Sequence, residues 1–566
     1  MNNNNNHIFV NLSHLLLNKI VELIPNAIDR LCFSLTCKRW FEDRDKYLTL
    51  DSEEFYSTSR QLDEIADFHL HSYRKQYETV LKNLDDCVLC IGTSVYSSID
   101  EFTFNHKQND IKQLKIDPVV SKILFYSDCD VETMLAVYDK VVDSNVVKYE
   151  IYFDNNLAVG CIPANIKNLG FFTFRKHLEK GWLPDSLEYV SFGGYNLPFE
   201  VGTLPASLKE LQLGSYSHIL SAAVIPKQLE RLKFNLPYEL NLPALPTSIE
   251  ALSGITNASF SNIQQLKSLP NLKELLLYLR PSGYTLKPDD LPKTLVTIYL
   301  EAFDSADPFT LLPDVIPTPA ADSNYEDLDL GECLNTLDPR IIPSSCTIEN
   351  LDICSQINSV QPLSVGQLPS KVKNLSLGVY NHPLVAGVFP EGLEELNLGE
   401  VYNHEIPVGL IPKTVKTLVL SQEYTLPLLP HSIPESVTDI DLSNYDQTLA
   451  DYVLPSTLTT LRVIHRFLVN NPLQTLPSTI ETLYVFFPKL DSQLFYIRKL
   501  DNTTNHYLMI ADGGLEGGII HFDILNQLIL NDKDKDNDDN DDNDDNDDNE
   551  HNNYDDDSED SEDSDE

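Results

Sequence analysis

The chain has 566 residues, with 86 Asp and Glu against 41 Lys and Arg, a formal net charge of −45. That balance excludes a constitutive binder of bare nucleic acid through a basic surface, because phosphate binding needs an excess of cations. Hydrophobic residues reach 42%, enough for a large core, while the 21 glycines are too sparse for a fold built round glycine-rich phosphate loops.

In chain order, residues 1–9 are an Asn-rich leader, expected to be disordered, with no basic stretch or cleavage site of a secretory signal. No stretch approaches 18 consecutive apolar residues, so no membrane span is expected. Nine cysteines are too few for a disulfide scaffold. The expectation is a soluble intracellular protein, cytoplasmic or nuclear.

Residues 10–50 carry apolar positions at helical spacing, Leu16, Ile20 and Leu23, then a break at Pro25-Asn26 and a second helix through Leu31 and Leu35. The segment closes on Cys37-Lys38-Arg39-Trp40. It resembles an F-box, with Leu12-Ser13 where that family has Leu-Pro. The resemblance implies docking on the Skp-type adaptor of a cullin ubiquitin ligase through Leu16, Ile20, Leu23, Leu31 and Leu35, with Pro25 fixing the turn. The alternative is that the same residues pack on the rest of the chain. Residues 51–160 read as a helical linker followed by degenerate first repeats, with strand signals at 99–104 (IDEFTF), 111–116 (IKQLKI) and 121–127 (SKILFYS).

Residues 161–487 repeat. Segments such as LPDSLEYVSFG (183–193), LPASLKELQLG (204–214), FPEGLEELNLG (389–399) and IPKTVKTLVLS (411–421) align on a proline, mostly 20 to 22 residues apart, over about fourteen units. Counting Pro as zero, apolar residues occupy −1, +3, +6 and +8, and small or polar ones favour +2 and +9. The +6/+8 pair alternates with polar neighbours as a half-buried strand does. Proline has no N–H to give a ladder, so it belongs just before the strand. A 21-residue unit cannot bury both its faces alone, which predicts a solenoid of parallel strands. Between strands the chain reads Tyr195-Asn196-Leu197-Pro198-Phe199, Tyr380-Asn381-His382-Pro383-Leu384 and Tyr402-Asn403-His404-Glu405-Ile406. With the following Gly and Leu-Pro these resemble the FNIP repeat, a leucine-rich-repeat-like unit. Residues 300–350 depart from the pattern, although YEDLDLG (325–331) reads as another strand. Residues 488–530 are non-repeating and expected to cap the array. Residues 531–566, with 21 acidic groups and two lysines, form a low-complexity tail expected to be disordered.

No motif points to catalysis, a cofactor or a metal. Cys87-Val88-Leu89-Cys90 has no second ligand pair, the glycine cluster at 513–518 fits no phosphate-loop pattern, and the tail's alternating Asp532, Asp534 and Asp536 lack a calcium loop's glycine. His382 and His404 recur at one repeat position. The expected function is a non-enzymatic protein-interaction module, read first as a ligase subunit recruiting a target and alternatively as a repeat scaffold without that link. The outward +5 and +7 residues form the expected target face, notably Glu210, Gln212, Arg231, Lys233, Asp327, Asp329, Asp352, Glu395, Asp439 and Asp441. Its acidic stretch at 327–352 suits a basic partner protein. The face lacks the aromatic and basic pattern of a single-stranded nucleic-acid groove.

Overall fold

The computed structural model describes residues 12–24, 27–50, 73, 76, 88–92, 103–104, 111–116, 118, 120–153, 159–258, 260–280, 284–302, 311–312, 314–318, 325–330, 341, 347–352, 362–487, 493–500, 505–511 and 517–531. Three short helices come first: α1 (His14–Glu22), α2 (Ala27–Leu35) and α3 (Lys38–Glu42). The Ser13 hydroxyl caps α1 by accepting the Leu16 N–H at 3.4 Å. Their shared core holds Leu17, Val21, Leu31 and Trp40, with the Phe33 and Trp40 rings stacked at 4.5 Å.

Among the described residues, 22 strands form one sheet. Strand Val88–Ile91 lies between Thr103–Phe104 and Lys122–Phe125. From there each strand pairs in parallel with the next, turn after turn, through Thr482–Phe487. The array therefore begins before the first regular proline. Of the three early strand signals, 121–127 holds a strand, and 99–104 holds one at Thr103–Phe104, its other residues lying outside the described set. The third is corrected: Ile111–Gln113 is a single 3₁₀ turn. Ile111 and Leu114, three apart, both reach the core, which suits the three-residue period of a 3₁₀ helix better than strand alternation. A helix not foreseen, α4 (Val131–Val142), follows, capped by Asp130, which accepts the Thr133 N–H at 2.8 Å.

The repeat grammar has a physical cause at each position. The proline carbonyl accepts the +3 N–H, as in Pro205 to Leu208 at 3.2 Å, closing a tight turn. The +2 hydroxyl reaches back one turn: Ser186 donates to the Ile166 carbonyl at 2.7 Å, Ser207 to Leu187 at 2.6 Å and Ser248 to Leu229 at 2.6 Å. Residues +6 and +8 point inward, and Leu211 and Leu213 are fully buried. At +4 the charges alternate over several turns, pairing Lys167 with Glu188, Glu188 with Lys209 and Glu394 with Lys416, while Glu230 and Glu250 are alike. Like charges stacked in register would repel, so this alternation supports the register. The tyrosine of the Tyr-Asn motif is buried, and in Tyr380 the hydroxyl accepts the Leu363 N–H of the preceding turn at 3.0 Å.

The 300–350 region keeps the ladder. Thr297 pairs with Asp327 and Asp327 with Asn350, while Tyr299 aligns with Asp329 and Asp329 with Asp352. The end cap turns antiparallel, through Gln493–Lys499, His506–Ala511 and Gly517–His521, before the last helix, Phe522–Asn531. In this cap Phe495, Ile497, Met509 and Ala511 join the solenoid core, whereas Leu508 and Ile510 join the core of the three N-terminal helices. Alternation along each strand thus lets one thin sheet serve two cores. Asp29 of α2 pairs with Arg498 of the cap at 2.6 Å.

Candidate functional site: the strand face

The outward residues of the parallel strands align into columns. The +5 column runs Lys148, Asn168, Tyr189, Glu210, Arg231, Ala251, and later Asp327, Asn350, Asn374, Glu395, Thr417, Asp439. The +7 column carries Gln212 beside Lys233, then Asp329, Asp352, Ser376, Asn397, Val419 and Asp441. Every strand-face residue expected from the sequence lies on one of these columns. The strand Glu274–Leu279, not among the residues singled out from the sequence, adds Glu274 and Leu276.

The columns are not equivalent chemically. Arg231 pairs across two turns with Glu274 at 3.3 Å, and Arg462 pairs with Asp439 at 2.6 Å while lying over the Tyr484 ring. Burial pushes the Asp439 carboxyl upward, against the pull of Arg462. Arg231 and Asp439 are therefore spent largely on this chain's own contacts. Asp327 sits in a polar ladder, accepting from the Asn350 amide at 2.8 Å, and Asn350 accepts in turn from Asn374 at 2.8 Å.

Asp329, Asp352 and Asp441 gather with Glu400 along an open trough of about 470 Å³. Among the described residues its lining includes no Lys or Arg. The floor is glycine: a Cβ on Gly399 would stand 1.8 Å from the Gly378 carbonyl oxygen, and Gly399 has φ +80°. No side chain fits there, so the carboxylates rim a floor of close-packed backbone. Glu400 was not foreseen, because it follows the strand; its signal is the glycine at +9 immediately before it.

At its C-terminal end the strand face runs under the helical head. The +7 column continues from Tyr484 to Tyr496 to Ile510, and the last two pack with the head core. Of the residues expected to meet an adaptor, Leu31 is 1% exposed inside that core and Leu35 leans on it. Ile20 is half-buried, Leu16 is 50% and Leu23 84% exposed, and Pro25 lies outside the described residues. Leu15, at 80%, joins the open side of α1 and was not singled out from the sequence.

The remaining motifs take structural places. Cys90 is buried in a strand and burial raises its thiol, while Cys87, residues 513–516 of the glycine cluster and the tail's Asp532, Asp534 and Asp536 lie outside the described residues. His404 bonds the Asn381 carbonyl at 3.1 Å, and both His404 and His382 meet a motif tyrosine edge-on. No group of three or more His, Cys, Asp or Glu among the described residues is placed to hold a metal ion. Among them no helix is long and apolar enough to cross a membrane.

The FNIP repeat family model matches residues 153–194, 195–236, 358–401, 380–423, 402–445 and 424–464. Residues 153–236 and 358–464 thus resemble the FNIP repeat, and they lie within a leucine-rich-repeat-like solenoid of parallel strands. No curated protein matches it. Solved structures similar to it include CroV588, described as a novel circular LRR protein, at 20% identity and TM-score 0.44, covering 62% of this chain and 50% of that one. The TLR13–ssRNA13 complex matches at 12% identity and TM-score 0.34, covering 64% of this chain and 60% of that one. YopM from Yersinia enterocolitica WA-314 matches at 18% identity and TM-score 0.27, covering 65% and 69%. The chain thus spans half the length of the circular protein.

Proposed function

We propose that this FNIP-repeat solenoid is a non-catalytic protein-binding scaffold, and that its strand face receives a partner protein through a basic element. The carboxylate trough supports the reading best: four acidic side chains with no cation among the lining residues, set on a surface repeated turn by turn. A lysine or arginine segment laid across the strands would meet Asp329 and Asp352 on adjacent turns, then Glu400 and Asp441 further along. The test is fluorescence anisotropy of labelled octa-arginine with the full-length chain at physiological ionic strength. The acidic tail contributes the same background to every variant. The triple substitution Asp329→Asn, Asp352→Asn and Asp441→Asn should weaken binding at least ten-fold, as expected for three lost charged contacts of roughly 0.5–1 kcal/mol each. Unchanged affinity would remove the trough from the contact.

A second reading, docking of a Skp-type adaptor by the head, draws on the open side of α1, where Leu15, Leu16 and Leu23 stand largely exposed. Leu16→Asp with Leu23→Asp in the full chain should abolish co-purification with the adaptor while leaving thermal stability unchanged. Absence of binding by the unaltered chain would end this reading and leave the scaffold intact. Leu31→Asp is a poor probe, because Leu31 is buried and its loss would unfold the head.

A further inference from the structure

The strand face has a second groove, on the first turns, with a different chemistry. Three rings stand one above another at the ends of successive strands. Tyr126 and Tyr152 stack at 6.0 Å and 19°, and Tyr152 and Phe172 at 3.9 Å and 9°. Phe172 is 45% exposed. The next residue in this column is Gly193, so no fourth ring continues the stack, and Gly170 leaves the adjacent strand position without a side chain. Phe172, Gly170 and Gly193 line one open groove of about 420 Å³.

The stack is built rather than incidental. The Tyr152 hydroxyl donates to Glu150 at 3.4 Å, and Glu150 is held by Lys122 at 2.6 Å. Tyr126 is tied to the Cys90 thiol. A Cβ on Gly193 would meet the Phe172 carbonyl oxygen at 2.9 Å, so the gap above the ring is fixed by backbone approach. On the far side a neutral amide rim is set: the Tyr189 hydroxyl donates to Gln212 at 2.8 Å, and Gln212 to Asn235 at 2.6 Å.

We propose that the ring stack ending at Phe172, over the side-chain gap at Gly193, is a second docking point that takes an aromatic side chain of a partner protein as the fourth ring. The turn spacing of about 4.8 Å leaves room for one further stacked ring. Lys122 and Lys148, which also line the groove, disfavour an arginine guanidinium in that place. A nucleotide's phosphates would find Lys122 already paired with Glu150, in a chain whose residues 1–530 keep −26 of the net charge. The rim offers amides and hydroxyls, suited to an indole N–H, a phenol or the backbone of the docked segment. This site lies roughly 30 Å along the stack from Asp329, at about 4.8 Å per strand, and does not depend on the carboxylate trough.

The test is saturation-transfer NMR on the full chain with N-acetyl-tryptophanamide at millimolar concentration, beside N-acetyl-leucinamide and adenosine. Transfer to the tryptophan amide should exceed that to the leucine amide several-fold. It should fall at least five-fold in Phe172→Ala and Phe172→Leu, and be kept in Phe172→Trp. Near-identical circular dichroism of the Leu and Trp variants separates loss of the ring from loss of the fold. Equal transfer to the leucine amide, transfer indifferent to Phe172, or a stronger Phe172-dependent signal from adenosine would each overturn the proposal.

Discussion

The buried tyrosines show how a repeat position becomes a thermodynamic liability under alkali. Tyr216 and Tyr402 lie inside the array, and burial pushes their hydroxyls up to about 12. An unfolded tyrosine loses its proton near pH 10. The folded protein therefore holds these protons where the unfolded chain releases them, so their contribution to stability is constant below about pH 10 and falls as pH rises towards 12. The loss should be roughly 1 kcal/mol per such tyrosine at pH 11. Thermal unfolding at pH 9, 10 and 11 should give a flat, then falling, midpoint. Tyr216→Phe with Tyr402→Phe should lessen the fall; an undiminished fall in that variant would assign it to other groups. The Tyr-Asn motif flagged Tyr402 as repeating, but neither Tyr402 nor Tyr216 as buried. Their surroundings are set by the neighbouring turn, which no single repeat reveals.

At the scale of the element, legibility followed the strength of local constraint. A +6/+8 alternation bounded by a proline allows one strand position, so the pairing of Leu211 with Leu232 and the outward place of Glu210 and Gln212 were readable before any coordinates. The ladder survived the irregular 300–350 region because its strands kept the alternation even where prolines were lost. Ile111–Gln113 misled because Ile111, Leu114 and Ile116 satisfy both a three-residue and a two-residue period over so short a stretch. The carboxylate trough was half legible. The column of Asp329, Asp352 and Asp441 follows from register, but Glu400 joins it through the geometry of a glycine turn. The aromatic stack was illegible, since Tyr126, Tyr152 and Phe172 precede or flank the regular repeats and meet only through the parallel pairing of strands.

On the scale of the whole molecule, the N-terminal helices meet the antiparallel cap. The head core closes on Leu508 and Ile510, which belong to the antiparallel cap more than 450 residues later in the sequence. Sequence could not choose between an adaptor and the chain itself as the cover for the head's apolar residues; the structure divides them, burying Leu31 and leaving Leu16 and Leu23 open. Arg498 is the polar hinge of this closure, reaching Asp29 of the head at 2.6 Å and Glu481 of the last regular turn at 3.4 Å. The head and the array have separate hydrophobic cores joined through one thin sheet, so they should open with different free energies. Arg498→Ala removes the ionic tie while leaving Phe495 and Ile497 in the solenoid core. Hydrogen exchange followed by mass spectrometry should then show faster exchange in residues 14–42, with strands such as Glu210–Leu213 and Asp439–Leu442 unchanged. If head and solenoid lose protection together, the cap transmits stability between them, and the two cores behave as one cooperative unit.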